Sequence, residues 1–200
     1  MKILALILTL FSFNVAVADD TRTGDKRKIG LVYGKGLAFK ITEPDGWNMS
    51  YIAGNSFGYP LVFYPSDSSW QDANSVIYLK IRNNPTDVTG ASAVVDILTT
   101  DDEKAFKDLS PKLEVESAPT ILTAKGGNAI IRKYSDGDKL FYATAYIPLD
   151  KYTPSIIFST RNKDAFEKDY VKFEQAVKSY KFETAKVDDK TLERLNKRSD

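Results

Sequence analysis

Carboxylates are the only abundant side chains in this chain suited to acid–base work near neutral pH, because its 200 residues contain neither histidine nor cysteine. That absence removes the usual neutral-pH proton shuttle, the soft metal ligands, the thiol nucleophile and every disulfide. Asp67 with Asp72, and Glu114 with Glu116, are the pairs to weigh as acid and base. Glycosidase-type chemistry needs two such groups roughly 5–9 Å apart across a cleft, and spacing along the chain does not establish that. A Ser–Lys arrangement needs a buried lysine beside its nucleophile, and nothing in the sequence marks one. The expectation is a non-enzyme with no catalytic residue, no metal and no cofactor.

Three further motifs read as ordinary structure. Asp101, Asp102 and Glu103 follow Thr100 in the pattern of a capping box, so the acids are expected at the start of a helix, where its dipole favours negative charge. Asp136 and Asp138 flank Gly137 without the alternating ligands and terminal glutamate of a calcium loop, and read as turn formers. Gly34-Lys35-Gly36 lacks the spacing and following helix of a phosphate-binding loop.

Recognition chemistry falls instead to aromatic residues in polar loops. Gly54 to Pro60 carries Phe57 and Tyr59 among turn-forming residues, and Ser66 to Asp72 places Trp70 in an otherwise polar stretch. Exposed aromatic rings on rigid loops give large contact area at small entropic cost. Phe57, Tyr59 and Trp70 are therefore the candidate binding residues. The competing reading is that they fold back over a sheet edge. Because the two loops flank one strand, the rings are expected close together in space.

The elements that must position these loops follow from periodicity and turn chemistry. Leu37 to Ile41, Leu61 to Tyr64, Val76 to Ile81, Thr120 to Lys125, Asn128 to Ser135, Leu140 to Pro148 and Ser155 to Thr160 read as strands separated by turn residues. Ala91 to Leu98 suggests one or two helical turns, with a clearer helix from Thr100 burying Ala105, Phe106 and Leu109. After Asn162, apolar residues at Phe166, Tyr170, Phe173, Val177 and Tyr180 trace one face of an amphipathic helix of about five turns. The sum is an α+β layered sandwich.

The N-terminus points to export. Lys2, an apolar run from Ile3 to Phe11 and Ala16-Val17-Ala18 have the form of a signal peptide, residues 1–18, with cleavage before Asp19. The run is too short for a membrane span, which needs roughly 20 apolar residues. Loss of Lys2 brings the formal charge from +1 to zero, which argues against nucleic acid as a partner. Residues 19–28 read as a flexible lead-in, 29–183 as one globular domain, and 184–200 as a charged tail or loosely docked helix. The mature protein is expected to be periplasmic or secreted, not transmembrane, and a monomer by default.

A family resemblance rests on short motifs. Tyr33-Gly34-Lys35-Gly36-Leu37-Ala38-Phe39-Lys40-Ile41 followed by Pro44-Asp45-Gly46-Trp47 resembles the start of PsbP-like domains. Leu61-Val62-Phe63, Asn74-Ser75-Val76-Ile77 and the final Phe166…Phe173…Ser179-Tyr180-Lys181-Phe182 add to it. The resemblance covers about Ile29 to Glu183 and implies a central antiparallel sheet flanked by helices, an α/β/α sandwich. It also implies service as a binding or assembly factor, with no shared reaction; any divalent-ion role through histidine is in doubt here. The expected function is thus an exported binding or assembly protein acting on another protein or envelope component. The alternatives are a small-ligand carrier with a pocket between sheet and helix and, last, a carboxylate-based hydrolase.

Overall fold

In the computed structural model of this chain, the described residues are 14–19, 28–116, 118–125 and 127–196. Residues 1–13 of the expected signal peptide, 20–27 of the lead-in and 197–200 of the tail lie outside them.

Two antiparallel sheets organise the chain. The smaller joins β1 (Asn14–Asp19), β2 (Lys28–Gly34), β3 (Leu37–Thr42) and β12 (Lys181–Thr184), in that order. The larger contains β4 (Trp47–Ser50), β5 (Val62–Pro65), β6 (Ser75–Asn83), β7 (Glu114–Val115), β8 (Thr120–Ala124), β9 (Gly127–Ser135), β10 (Phe141–Tyr146) and β11 (Tyr152–Thr160). Its order is β4-β5-β6-β11-β10-β9-β7, with β8 also paired to β9. Three helices complete the fold: α1 (Ala91–Lys107), α2 (Lys163–Ser179) and α3 (Asp189–Asn196). The α+β expectation holds: the eight-stranded sheet is the central antiparallel sheet flanked by helices, and a second sheet of four strands accompanies it.

The large sheet is covered on both faces, which is why β10 is buried at every position. Ile77, Leu79, Ala143, Ala145, Ile156 and Phe158 point one way, into a core shared with Phe173, Ala176, Val177 and Tyr180 from α2 and its end. The alternate residues Tyr78, Tyr134, Tyr142 and Ile157 point the other way and meet Phe106 of α1. Asn162 starts α2 as its N-cap, its side chain accepting from the Ala165 N–H at 2.8 Å. Val32, Phe39 and Ile41 of the small sheet join the α2 core, while Tyr33 and Ala38 on its outer face meet Val187 and Leu192 beside α3. Residues 184–196, read as a charged tail or loosely docked helix, thus bring α3 onto this sheet.

Two local expectations at α1 are overturned, its start and its buried face, since Phe106 is buried but Ala105 and Leu109 are exposed and Leu109 lies beyond the helix. Helix α1 does not begin at Thr100 but runs unbroken from Ala91, because Val94, Val95, Leu98, Asp102 and Phe106 form one buried stripe. Thr100 sits mid-helix, its hydroxyl donating back to the Asp96 carbonyl at 2.9 Å instead of capping. The acids after it are therefore not an N-terminal cluster. Asp102 faces inward, 9% exposed, and reaches the sheet.

Candidate functional site

Strand β6 positions the site. Tyr78, Lys80 and Arg82 alternate along it on the face covered by α1. At Arg82 the helix supplies a carboxylate: Nη1 and Nη2 donate to the two oxygens of Asp102 at 2.8 and 3.0 Å, and Nη2 also reaches Ser155 Oγ at 3.2 Å. Tyr146 donates its O–H to Asp102 Oδ2 at 2.7 Å, and its hydroxyl lies 2.6 Å from that of Tyr134. Burial pushes the Tyr134 hydroxyl up to about 12. Burial, followed by the Asp102 charge, pushes Tyr146 well above the usual phenol range. Both phenols are thus held in their protonated form, and this chain of polar groups ties α1 to the sheet.

One turn further along α1 the packing opens. Phe57, Tyr59, Trp70, Tyr78, Lys80, Phe106, Leu109 and Tyr142 are among the residues lining a cleft of about 400 Å³. The three aromatics singled out from the sequence meet here. Ring centroids of Phe57 and Tyr59 are 6.1 Å apart, those of Phe57 and Trp70 are 6.4 Å apart, and those of Tyr59 and Trp70 are 6.5 Å apart. Tyr59 stacks on Tyr78 at 4.3 Å, which anchors the cluster to β6. Tyr59 and Trp70 are half-buried against the sheet, whereas Phe57 is 61% exposed. Tyr59 and Trp70 thus fold back over the sheet, and Phe57 is left exposed at the rim.

Loop geometry explains why the rings converge. The segment turns through a 3-10 turn at Asn55–Phe57, closed by Gly58 in the left-handed region at φ 73°. Gly54 accepts from the Phe57 and Tyr59 N–H groups, each at 3.0 Å. A Cβ on Gly54 would stand 2.6 Å from Val62 Cγ1 and 2.8 Å from the Tyr59 carbonyl oxygen, so only glycine permits this approach. In the second loop, Asp72 accepts from Ser69 Oγ at 2.6 Å and serves as a turn residue.

Sequence reasoning missed Tyr78, Lys80, Phe106, Leu109 and Tyr142. The available signal was Lys80 itself, a cation within the otherwise apolar run Val76 to Ile81 of that strand.

The remaining carboxylate pair lies elsewhere. Glu114 and Glu116 line a groove of about 830 Å³ between the β7–β9 edge and α2, together with Lys112, Lys133, Asp136 and Lys163. Glu116 lies 3.8 Å from Lys133 Nζ, which sits 5.0 Å over the Tyr170 ring. Among the described residues, no three His, Cys, Asp or Glu are grouped to hold a metal ion. None of their helices is long and apolar enough to cross a membrane.

Protein-family models and curated proteins yield no match to the sequence. Solved structures do: the solution structure of cyanobacterial PsbP (CyanoP) from Synechocystis sp. PCC 6803 matches with a TM-score of 0.52 and 15% identity, covering 88% of this chain and 95% of that one. The fold is PsbP-like. At that identity the likeness concerns architecture alone. Within the PsbP-like fold, the large sheet with α1 and α2 on opposite faces matches the sandwich that the sequence motifs imply.

Proposed function

We propose that the chain is an exported, non-catalytic binding or assembly protein, acting on another protein or an envelope component through the cleft of Phe57, Tyr59 and Trp70. One observation carries this reading: rings from two separate loops converge on a sheet-anchored platform while the outermost, Phe57, is left 61% exposed. Binding sites combine such rigid aromatic anchors with an accessible tip. The PsbP-like resemblance implies a binding or assembly factor, which accords with a site built from rings instead of acids. Export rests on the first 18 residues; cleavage before Asp19 removes Asn14–Ala18 from β1 and leaves β2 as an open edge.

The test is affinity capture from the envelope fraction with the tagged mature chain and its Phe57→Ala and Trp70→Ala variants. The expected result is one stoichiometric protein retained by the parent and lost from both variants. Equal capture by all three chains would refute the cleft as the binding site. N-terminal sequencing of the mature protein should read from Asp19.

A second reading has its own observation, the 830 Å³ groove between sheet and α2. It is large enough for a small ligand, and its charged rim suits a polar one. Native mass spectrometry of freshly isolated protein would reveal a small adduct if the chain is a carrier.

A further inference from the structure

Lys80 and Arg82 stand two residues apart on the same face of β6, and the protein treats them differently. Arg82 is matched by the Asp102 carboxylate. Lys80 is half-buried, its ammonium 5.9 Å from the centre of Tyr59 and 6.0 Å from that of Tyr78, and the Asp102 charge reaches it only from a distance. No carboxylate pairs with it among the described residues. The reason lies in α1: the residues beyond Asp102 that line the cleft with Lys80 are Ala105, Phe106 and Leu109, none of which carries an acceptor. A charge removed from water without a partner is costly, and burial pushes the Lys80 ammonium below its ordinary value. The cleft therefore holds a cation with no carboxylate in contact among the described residues, because Asp102, the acid whose charge reaches it, is engaged by Arg82 and Tyr146.

Apolar surface continues outward from that point. Phe57 is 61% exposed on one rim and Leu109 67% on the other, and Tyr51 and Ile52, in the loop that carries Phe57, are 44% and 67% exposed. A cavity of about 400 Å³ accommodates one or two side chains, and the apolar rim beyond it suits a chain that continues past them. That favours a polypeptide over an isolated small molecule.

Resting on the cleft assigned above, we propose that it receives a segment of a partner protein in which an aspartate or glutamate adjoins an aromatic or large aliphatic residue. The carboxylate pairs with the Lys80 ammonium between Tyr59 and Tyr78, and the neighbouring apolar side chain packs among Phe57, Trp70 and Leu109. Both halves are needed, because aromatic contact alone would leave Lys80 unpaired and charge alone would leave the rings wet.

The test uses random heptapeptides displayed and selected on the full mature chain. The strongest binder is then synthesised in its acidic form and with Asn or Gln in place of the acid. Four proteins are compared: the parent, Lys80→Met, Lys80→Arg and Phe57→Ala. Selected peptides should carry an acid next to an apolar residue, and the amide form should bind the parent about tenfold more weakly or worse. Lys80→Met should erase that discrimination, Lys80→Arg should retain it, and Phe57→Ala should weaken both forms alike. Lys80→Met keeps the side-chain length and removes an unpaired charge, so its melting temperature should not fall; Lys80→Arg guards against a folding artefact. Binders without an acid, or discrimination that survives in Lys80→Met, overturn the proposal; if Phe57→Ala still abolishes binding, the cleft stands without it. Failure to enrich any peptide overturns the proposal as well. In that case, capture of the native partner by the parent but not by Phe57→Ala separates its failure from that of the cleft.

Discussion

Replacing Asp102 with asparagine tests the idea that one buried carboxylate fastens α1 to the large sheet. Asp102 accepts two N–H bonds from Arg82 and one O–H bond from Tyr146, all between 2.7 and 3.0 Å. Asparagine has nearly the same shape but no charge, and its amide must present an N–H₂ to a donor on Arg82 or Tyr146. Breaking a buried ion pair from one side costs about 3–5 kcal/mol. Arg82 keeps 22% of its side chain exposed and can be partly rehydrated, so the lower end, about 3 kcal/mol, applies. For a domain of this size that lowers the melting temperature by about 6–12 °C. Urea unfolding followed by tryptophan fluorescence, with buried Trp47 as one reporter, measures the change at constant slope. Tyr146→Phe should lose less, about 1–2 kcal/mol, since it removes one charge-assisted bond and leaves the ion pair. The double replacement Asp102→Leu with Arg82→Met should return to within about 1 kcal/mol of the parent, because it removes both charges together. An Asp102→Asn chain within about 0.5 kcal/mol of the parent, or a double variant as weak as the single one, would refute the reasoning.

Three other outcomes follow from particular contacts. Gly54→Ala should destabilise the chain by about 1–3 kcal/mol and shift the Phe57 and Tyr59 resonances, because its methyl meets the Tyr59 carbonyl at 2.8 Å. Asp136 is held at about 2, below its ordinary value; a slight burial penalty is outweighed by N–H donors from Leu140, Asp138 and Lys139 and by the Ser110 hydroxyl. Its stabilisation is therefore complete above about pH 4 and lost as the pH falls towards 2, and Asp136→Ala should flatten the stability profile in that window by about 1 kcal/mol after solvent screening. Val187→Asp should release α3 from Tyr33 and Ala38, seen as new proteolytic cleavage between Thr184 and Asp189 with little change in the urea midpoint of the core.

The strands were legible because their signals are local. Val76 to Ile81 alternates and carries β-branched residues, and the observed β6 extends that stretch by one or two residues at each end. Helix α2 was legible for the same reason, in the apolar stripe that follows Asn162. Helix α1 was misread where two local rules compete. Thr100-Asp101-Asp102-Glu103 satisfies the capping pattern, but the stripe from Val94 to Phe106 buries more apolar surface as one helix than a broken pair would. Tertiary packing won, and with it Asp102 changed from a solvated helix-end acid into the partner of Arg82. The small sheet was hidden because β12 is four residues long and pairs with β3, more than 130 positions earlier.

The candidate site divides along the same line. That Phe57, Tyr59 and Trp70 would meet was readable from two loops flanking one strand. Which ring stays exposed was not, since exposure depends on how far each loop folds onto Tyr78. The missing histidine and cysteine removed thiol and imidazole chemistry from composition alone, a property no fold alters. Only the tertiary structure decided that Arg82 has a carboxylate in contact and that Lys80, among the described residues, does not. Both are lysine-or-arginine positions on one face of one strand, and the difference is made by which residue of α1 arrives opposite each: an aspartate over Arg82, and an open cleft with an alanine on its wall at Lys80.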